Sequence, residues 1–144
     1  MNEHSLAQSQ DRLTKDEPLH ILCVDDDANV LRSLRRLFRN ESFRTLTALS
    51  GKEGLAFVRS TVSIGLILSD QRMPEMSGSA FLEAARALKP DIPRIILTGY
   101  ADAQSSQDAV NQGGAYRLIA KPWNDEELLL AVRDGLERYQ NQRV

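Results

Sequence analysis

Cysteine is nearly missing from this sequence: Cys23 is alone among 144 residues. No disulfide can close within the chain, which excludes a cross-linked secreted scaffold and fits a reducing, cytoplasmic setting. No apolar run is long enough to span a bilayer. The opening "MNEHSLAQSQDRLTKDEP" also lacks the apolar core of a signal peptide, so no membrane role is expected. Neither sign of charge dominates: 18 Lys and Arg against 20 Asp and Glu leave a net charge of −2. That is no electrostatic footprint for direct nucleic-acid binding. A phosphate-cradling G-x-x-x-x-G-K-[ST] loop is absent, and "SGKEG" is too short to replace it, which argues against a nucleotide or flavin binder.

What is present is ordinary for a globular domain, with 42% hydrophobic and 26% charged residues. The length suits one domain with a real core. Residues 1–18 are polar and poor in aromatics and are expected to form a flexible tail. Residues 19–140 carry the folded unit. Residues 141–144 end the last helix or begin a linker, and "ERYQNQRV" reads like a helix that could continue.

Two patterns alternate after Pro18. Short apolar runs, "HILCV" (20–24), "IGLILS" (64–69), "PRIILT" (93–98) and "AYRLIA" (115–120), read as strands, "IGLILS" and "PRIILT" as buried ones. "FRTLTAL" (43–49) is more polar and reads as an edge strand. Between them lie helical stripes. Val30, Leu31, Leu34, Leu37 and Phe38 share one face of the first helix, with Arg32, Arg35, Arg36 and Arg39 elsewhere. Residues 51–60 turn Leu55 and Val58 inward. In the third helix Ser77 is the expected N-cap, Phe81, Ala84, Ala85 and Leu88 the apolar face, and Pro90 the stop. A polar fourth helix ends at Gly113 and Gly114, and Asn124 caps an acidic first turn of the fifth. Five strands alternating with five helices give an α/β fold, a single doubly wound parallel sheet covered on both faces.

In such a sheet, ligands bind beyond the carboxyl ends of the strands. Those ends carry Asp25, Asp26 and Asp27 after the first strand, Asp70 after the third, Thr98 after the fourth and Lys121 after the fifth. Crowded carboxylates repel unless a cation neutralises them, and carboxylate oxygens with room for water suit Mg²⁺. Lys121 adds a compact positive charge and Thr98 a hydroxyl donor, while Gly99 leaves the backbone open to close approach. Metal, ammonium and hydroxyl together can clamp a phosphoryl group in transfer, and one carboxylate can act as nucleophile to become an acyl phosphate. Asp70, single and on a central strand, suits the acceptor; the Asp25–Asp27 cluster suits the metal.

"VDDD" (24–27), "SDQRMPEMSG" (69–78), "LTGYAD" (97–102) and "AKPW" (120–123), in that order, resemble the receiver domain of two-component response regulators over roughly residues 19–140. The resemblance implies a CheY-like, flavodoxin-like (βα)5 fold with strand order 2-1-3-4-5. It makes Asp70 the phosphoacceptor. Asp25, Asp26, Asp70 and the Arg72 backbone carbonyl become ligands of Mg²⁺ or Mn²⁺, with Thr98 and Lys121 contacting the phosphoryl group. Pro74 and Gly78 match the loop-shaping residues, and the Lys121–Pro122 bond is expected cis. Partners implied are a sensor histidine kinase or histidine phosphotransfer protein upstream and an output domain or protein downstream; a homodimer is left open. In one respect the sequence departs from the family. The aromatic residue expected three before the lysine is replaced by Leu118, while Tyr116, two residues earlier, points the same way by strand alternation. Either Tyr116 substitutes for it in the output surface, or coupling of Thr98 to that surface is altered. The ending "YRLIAKPW" looks more like receivers attached to signalling enzymes, such as cyclic-dinucleotide phosphodiesterases, than to DNA-binding ones.

Plainer roles compete at several positions. Asp27 reads as an N-cap, Cys23 as core, Trp123 as packing and the helical arginines as solvated surface. Arg72, Gly99 and Tyr100 are expected to flank the phosphoryl group, with Arg72 and Tyr100 limiting attack by water. A haloacid-dehalogenase-like phosphatase with Asp25 as nucleophile is the enzymatic rival. Asn29 stands where its Thr or Val belongs, however, no acidic pair follows Lys121 at the right place, and "DQRMPEMSG" is left unexplained. An interaction-only receiver would have lost the acceptor, a metal ligand or the lysine, and none is missing.

Overall fold

A computed structural model describes residues 18–99 and 103–142. The strands are β1 (His20–Val24), β2 (Arg44–Ala48), β3 (Ile64–Ser69), β4 (Arg94–Thr98) and β5 (Arg117–Ala120). The helices are α1 (Ala28–Phe38), α2 (Gly51–Ser60), α3 (Gly78–Leu88), α4 (Ala103–Asn111) and α5 (Asp125–Gln142). All strand pairs are parallel, in the order β2-β1-β3-β4-β5, as the sequence led us to expect.

Local chemistry explains where the elements begin. Asp27 caps α1 through its side chain, Ser50 caps α2 and Ser77 caps α3. The Asn124 carboxamide oxygen accepts from Glu127 N at 2.9 Å ahead of α5, whose first turn holds Asp125, Glu126 and Glu127. After α4, Gly114 takes a positive φ of 65° that a side chain would disfavour, and Ala115 N bonds back to Ala109 O at 2.9 Å.

The central strands are apolar because both faces are covered. Every residue of β3 is buried, as is β1 beyond His20. Edge strand β2 is mostly half-buried, in line with its polar sequence. Two expectations need correction. Leu88 is 41% exposed rather than part of the inward face of α3, because the helix ends there and Lys89 is already its C-cap. The last strand starts at Arg117, so Ala115 and Tyr116 belong to the approach rather than to the sheet. Residues 1–17 of the tail expected over 1–18, and Tyr100, lie outside the described residues.

Candidate functional site

Register brings the strand ends together. Val24 pairs with Ser69, so the chains leaving β1 and β3 emerge side by side, and Asp70 N bonds to Val24 O at 2.9 Å. Thr98 pairs with Ala120, and Lys121 N bonds to Thr98 O at 2.9 Å. Parallel pairing therefore delivers Asp25, Asp70, Thr98 and Lys121 to one edge of the sheet, although 96 residues separate Lys121 from Asp25.

Lys121 Nζ lies 2.7 Å from Asp25 Oδ2 and 3.3 Å from Asp70 Oδ1, tying the two carboxylates through one ammonium. The other Asp25 oxygen accepts from Asp27 N at 2.9 Å. Asp25 and Asp70 are buried and Asp26 is exposed, yet one oxygen from each of the three lies within 4.8 Å of the others. Three clustered carboxylates, two of them on one ammonium, form a donor set that suits a hard divalent cation. Thr98 is fully buried. Arg72 and Gly99 sit on the exposed rim, and a Cβ built on Gly99 would meet no described atom within 4 Å. The Lys121–Pro122 peptide is cis.

The electrostatics follow from this crowding. Burial, then the Asp25 charge, push the Asp70 carboxyl above its ordinary range, and Lys121 only partly offsets them. Burial on its own would lower Lys121. Its hydrogen bond to Asp25 and the charges of Asp25 and Asp70 outweigh that and hold the ammonium above its ordinary value. The pocket thus keeps its lysine charged while Asp70 carries more proton affinity than a free carboxylate.

Other positions resolve more plainly. Asp27 caps α1, accepting from Asn29 N at 2.9 Å. Trp123 is half-buried against the core and donates its indole N–H to Asp125 Oδ1 at 2.9 Å. Tyr116 is half-buried; its hydroxyl donates to Ala131 O in α5 at 2.9 Å, and the Arg138 guanidinium stands 5.0 Å from the ring centroid. Leu118 is half-buried beside the core. Sequence reasoning passes over Gln71 and Ser79. A glutamine in a loop after an acid reads as solvated, yet Gln71 is 5% exposed and Ser79 1%. The only signal was a polar pair bracketing the "RMPEMSG" arch.

With this geometry in place, the comparisons with known proteins are decisive. The model of the response regulator receiver domain matches residues 21–133. The chain belongs to that family. This receiver is 40% identical over 123 residues to the hydrogenase transcriptional regulatory protein HoxA of Cupriavidus necator, covering 85% of the chain and 25% of that protein. It is 34% identical over 122 residues to the transcriptional regulatory protein GlrR of Escherichia coli, covering 85% of the chain and 27% of that protein. The receiver thus spans about a quarter of the length of such curated relatives. Among solved structures, the signal receiver domain of an HD domain-containing protein from Pseudomonas fluorescens is similar with a TM-score of 0.83 and 32% identity. That match covers 87% of this chain and 99% of the other. A CheY-like receiver domain protein from Methanospirillum hungatei follows at 0.82 and 32%, covering 88% and 99%.

Among the described residues, no helix is long and apolar enough to cross a membrane.

Proposed function

We propose that this receiver accepts a phosphoryl group on Asp70 from the phosphohistidine of a sensor histidine kinase or histidine phosphotransfer protein. The observation that carries the reading is the Lys121 ammonium held between Asp25 and Asp70, with Asp26 close enough to complete a three-carboxylate corner. A carboxylate oxygen of Asp70 attacks phosphorus. An O–P bond forms, the N–P bond of the phosphohistidine breaks, and the imidazole leaves with the electron pair and takes up a proton from solvent. Three carboxylates against one ammonium leave negative charge in excess. Asp25, Asp26, Asp70 and the Arg72 carbonyl would hold Mg²⁺ or Mn²⁺, which when bound neutralises the phosphoryl oxygens. Lys121 stays protonated throughout and supplies a donor to the incoming oxygens.

The rival nucleophile, Asp25, is held more tightly, 2.7 Å from Lys121 Nζ against 3.3 Å for Asp70, and its other oxygen is taken by Asp27 N. After transfer, roughly two added negative charges and new acceptor oxygens attract Thr98 and Lys121. This biases the face formed by α4, β5 and α5, including Leu118 and Tyr116, between two arrangements. Arg72 and Gly99 flank the acyl phosphate. The similar proteins include both transcriptional regulators and an HD domain-containing protein. The ending "YRLIAKPW" does not by itself separate the two classes.

The test is incubation with acetyl phosphate and Mg²⁺, read by intact mass. Wild type should gain one phosphoryl group, and Asp70→Asn none. A wild-type chain that gains no mass, or an Asp70→Asn chain that gains as much, overturns the assignment.

A further inference from the structure

The acceptor is followed by an arch, residues 72–77, that returns the chain to the start of α3. Its base is closed by one side chain. The Gln71 carboxamide oxygen accepts from Ser79 N at 2.8 Å, and its Nε2 donates to Ser79 Oγ at 2.7 Å. Gln71 also uses its backbone, its carbonyl accepting from Gly78 N at 2.8 Å. Ser77 takes the next two donors: its Oγ accepts from Ala80 N at 3.1 Å and its carbonyl from Phe81 N at 2.9 Å. The first four amides of α3 are therefore all satisfied, two of them by the residue adjoining the acceptor.

The join is rigid on its far side as well. A Cβ on Gly78 would lie 2.1 Å from Asp70 O and 2.9 Å from Gln71 Cα, so the helix start rests directly on the acceptor's own peptide. Both atoms are backbone and cannot swing away. Inside the arch Glu75 holds a positive φ of 70°, and Met76 N bonds to Pro74 O at 2.7 Å. A non-glycine residue in the left-handed region persists only where its surroundings fix the backbone around it.

We propose that Gln71 is a positioning residue. By locking the arch to α3 it fixes the peptide between Asp70 and Arg72, and with it the place of the Arg72 carbonyl relative to the Asp70 carboxylate in cation binding. The inference rests on the reading of Asp25, Asp26, Asp70 and the Arg72 carbonyl as the cation's holders. Gln71 meets the Asp70 carboxylate through its backbone N–H, while its side chain bonds Ser79 instead. Its buried amide acts through the backbone, as the groups that orient metal ligands do elsewhere, where their loss typically weakens binding about 10–100-fold.

The experiment measures Mn²⁺ affinity of the unphosphorylated chain by electron paramagnetic resonance, for wild type, Gln71→Met, Ser79→Ala and Val58→Ala. Gln71→Met keeps the volume and removes both side-chain bonds; Ser79→Ala keeps the bond from Ser79 N and loses the hydroxyl. Val58, fully buried in α2, lies outside the arch, so its truncation lowers stability alone. Expected is a Kd raised about tenfold or more in Gln71→Met, raised less in Ser79→Ala, and unchanged in Val58→Ala. Labelling by acetyl phosphate should slow in Gln71→Met at low Mg²⁺ and recover when Mg²⁺ is saturating. A folded Gln71→Met chain that binds Mn²⁺ within twofold of wild type, or no worse than Val58→Ala, overturns the proposal. If Gln71→Met does not fold, Ser79→Ala decides, and unaltered affinity there overturns it too. A wild-type chain that does not bind Mn²⁺ defeats both this inference and the reading beneath it.

Discussion

Asp70 sits where a free carboxylate would be uncomfortable, and that discomfort has a measurable sign. Its unfolded value lies near 3.8 and its folded value higher, because burial and Asp25 outweigh Lys121. Between those two values the folded chain keeps a proton that the unfolded chain has released. Stability attributable to this group therefore falls as pH rises through the window, and a constant penalty remains above it. Asp70→Asn removes the penalty. The variant is expected to melt at a higher temperature than wild type at pH 7 without divalent ions, with the gap closing as pH falls below 3.8. Mg²⁺ should raise the wild-type midpoint more than that of the variant. Equal or lower stability of Asp70→Asn at pH 7 would contradict the balance of charges described here. Lys121 runs the opposite way: raised above 10.5, it contributes stability at neutral pH that disappears only in strong alkali, as pH rises through its folded value.

At the scale of elements, α5 meets the sheet through a gap left by one glycine. A Cβ on Gly135 would stand 2.2 Å from Leu66 Cδ1 and 2.7 Å from the Tyr116 hydroxyl. Alanine there gains up to about 1 kcal/mol of helix propensity but overpacks a buried contact at a cost of about 1–3 kcal/mol. Gly135→Ala should therefore lower the urea midpoint by an amount worth up to about 2 kcal/mol, with an unchanged slope. Tyr116→Phe relieves the second of the two clashes, so it should cost less in the Gly135→Ala background than in wild type. Additive costs would mean that the Tyr116 hydroxyl does not feel the methyl added at position 135. The same region marks where sequence reasoning stopped. Period and caps made β1, β3, α2 and the starts of α1, α3 and α5 legible, since each depends on neighbours in sequence. Gly135 drew no reading at all, because its reason lies on β3 and at Tyr116. Tyr116 read as a strand residue aligned with Leu118, but its hydroxyl found a carbonyl on α5, a partner that alternation along β5 could not reveal. Gln71 stayed invisible for the same cause: its two partner atoms belong to the far side of a folded arch.

The whole molecule determines how well these sites are kept, and Cys23 reports on it. The thiol is fully buried in β1, between Thr47 of β2 and Leu68 of β3, two residues before the carboxylate that holds Lys121. Burial pushes it from 9.0 up to about 12. Between those values the unfolded chain loses a proton that the folded chain retains, so stability falls as pH climbs from 9.0 toward 12. At neutral pH the folded thiol is neither accessible nor ionised, and β1 cannot expose it without parting from both neighbours. Alkylation of Cys23 should therefore proceed only through globally unfolded molecules. A domain stability of about 5–15 kcal/mol implies protection by at least about three orders of magnitude relative to the urea-unfolded chain. Any ligand that binds only the folded state slows the reaction further, by a factor of one plus its concentration over its Kd, so Mg²⁺ at ten times its Kd should slow labelling about elevenfold. The same addition should have much less effect on Asp70→Asn, which lacks one of the proposed carboxylate ligands. Rapid modification of Cys23 in the native chain would show that the sheet opens locally at β1. Slow modification that Mg²⁺ leaves unaltered would show instead that the cation is not held by the carboxylates at its end.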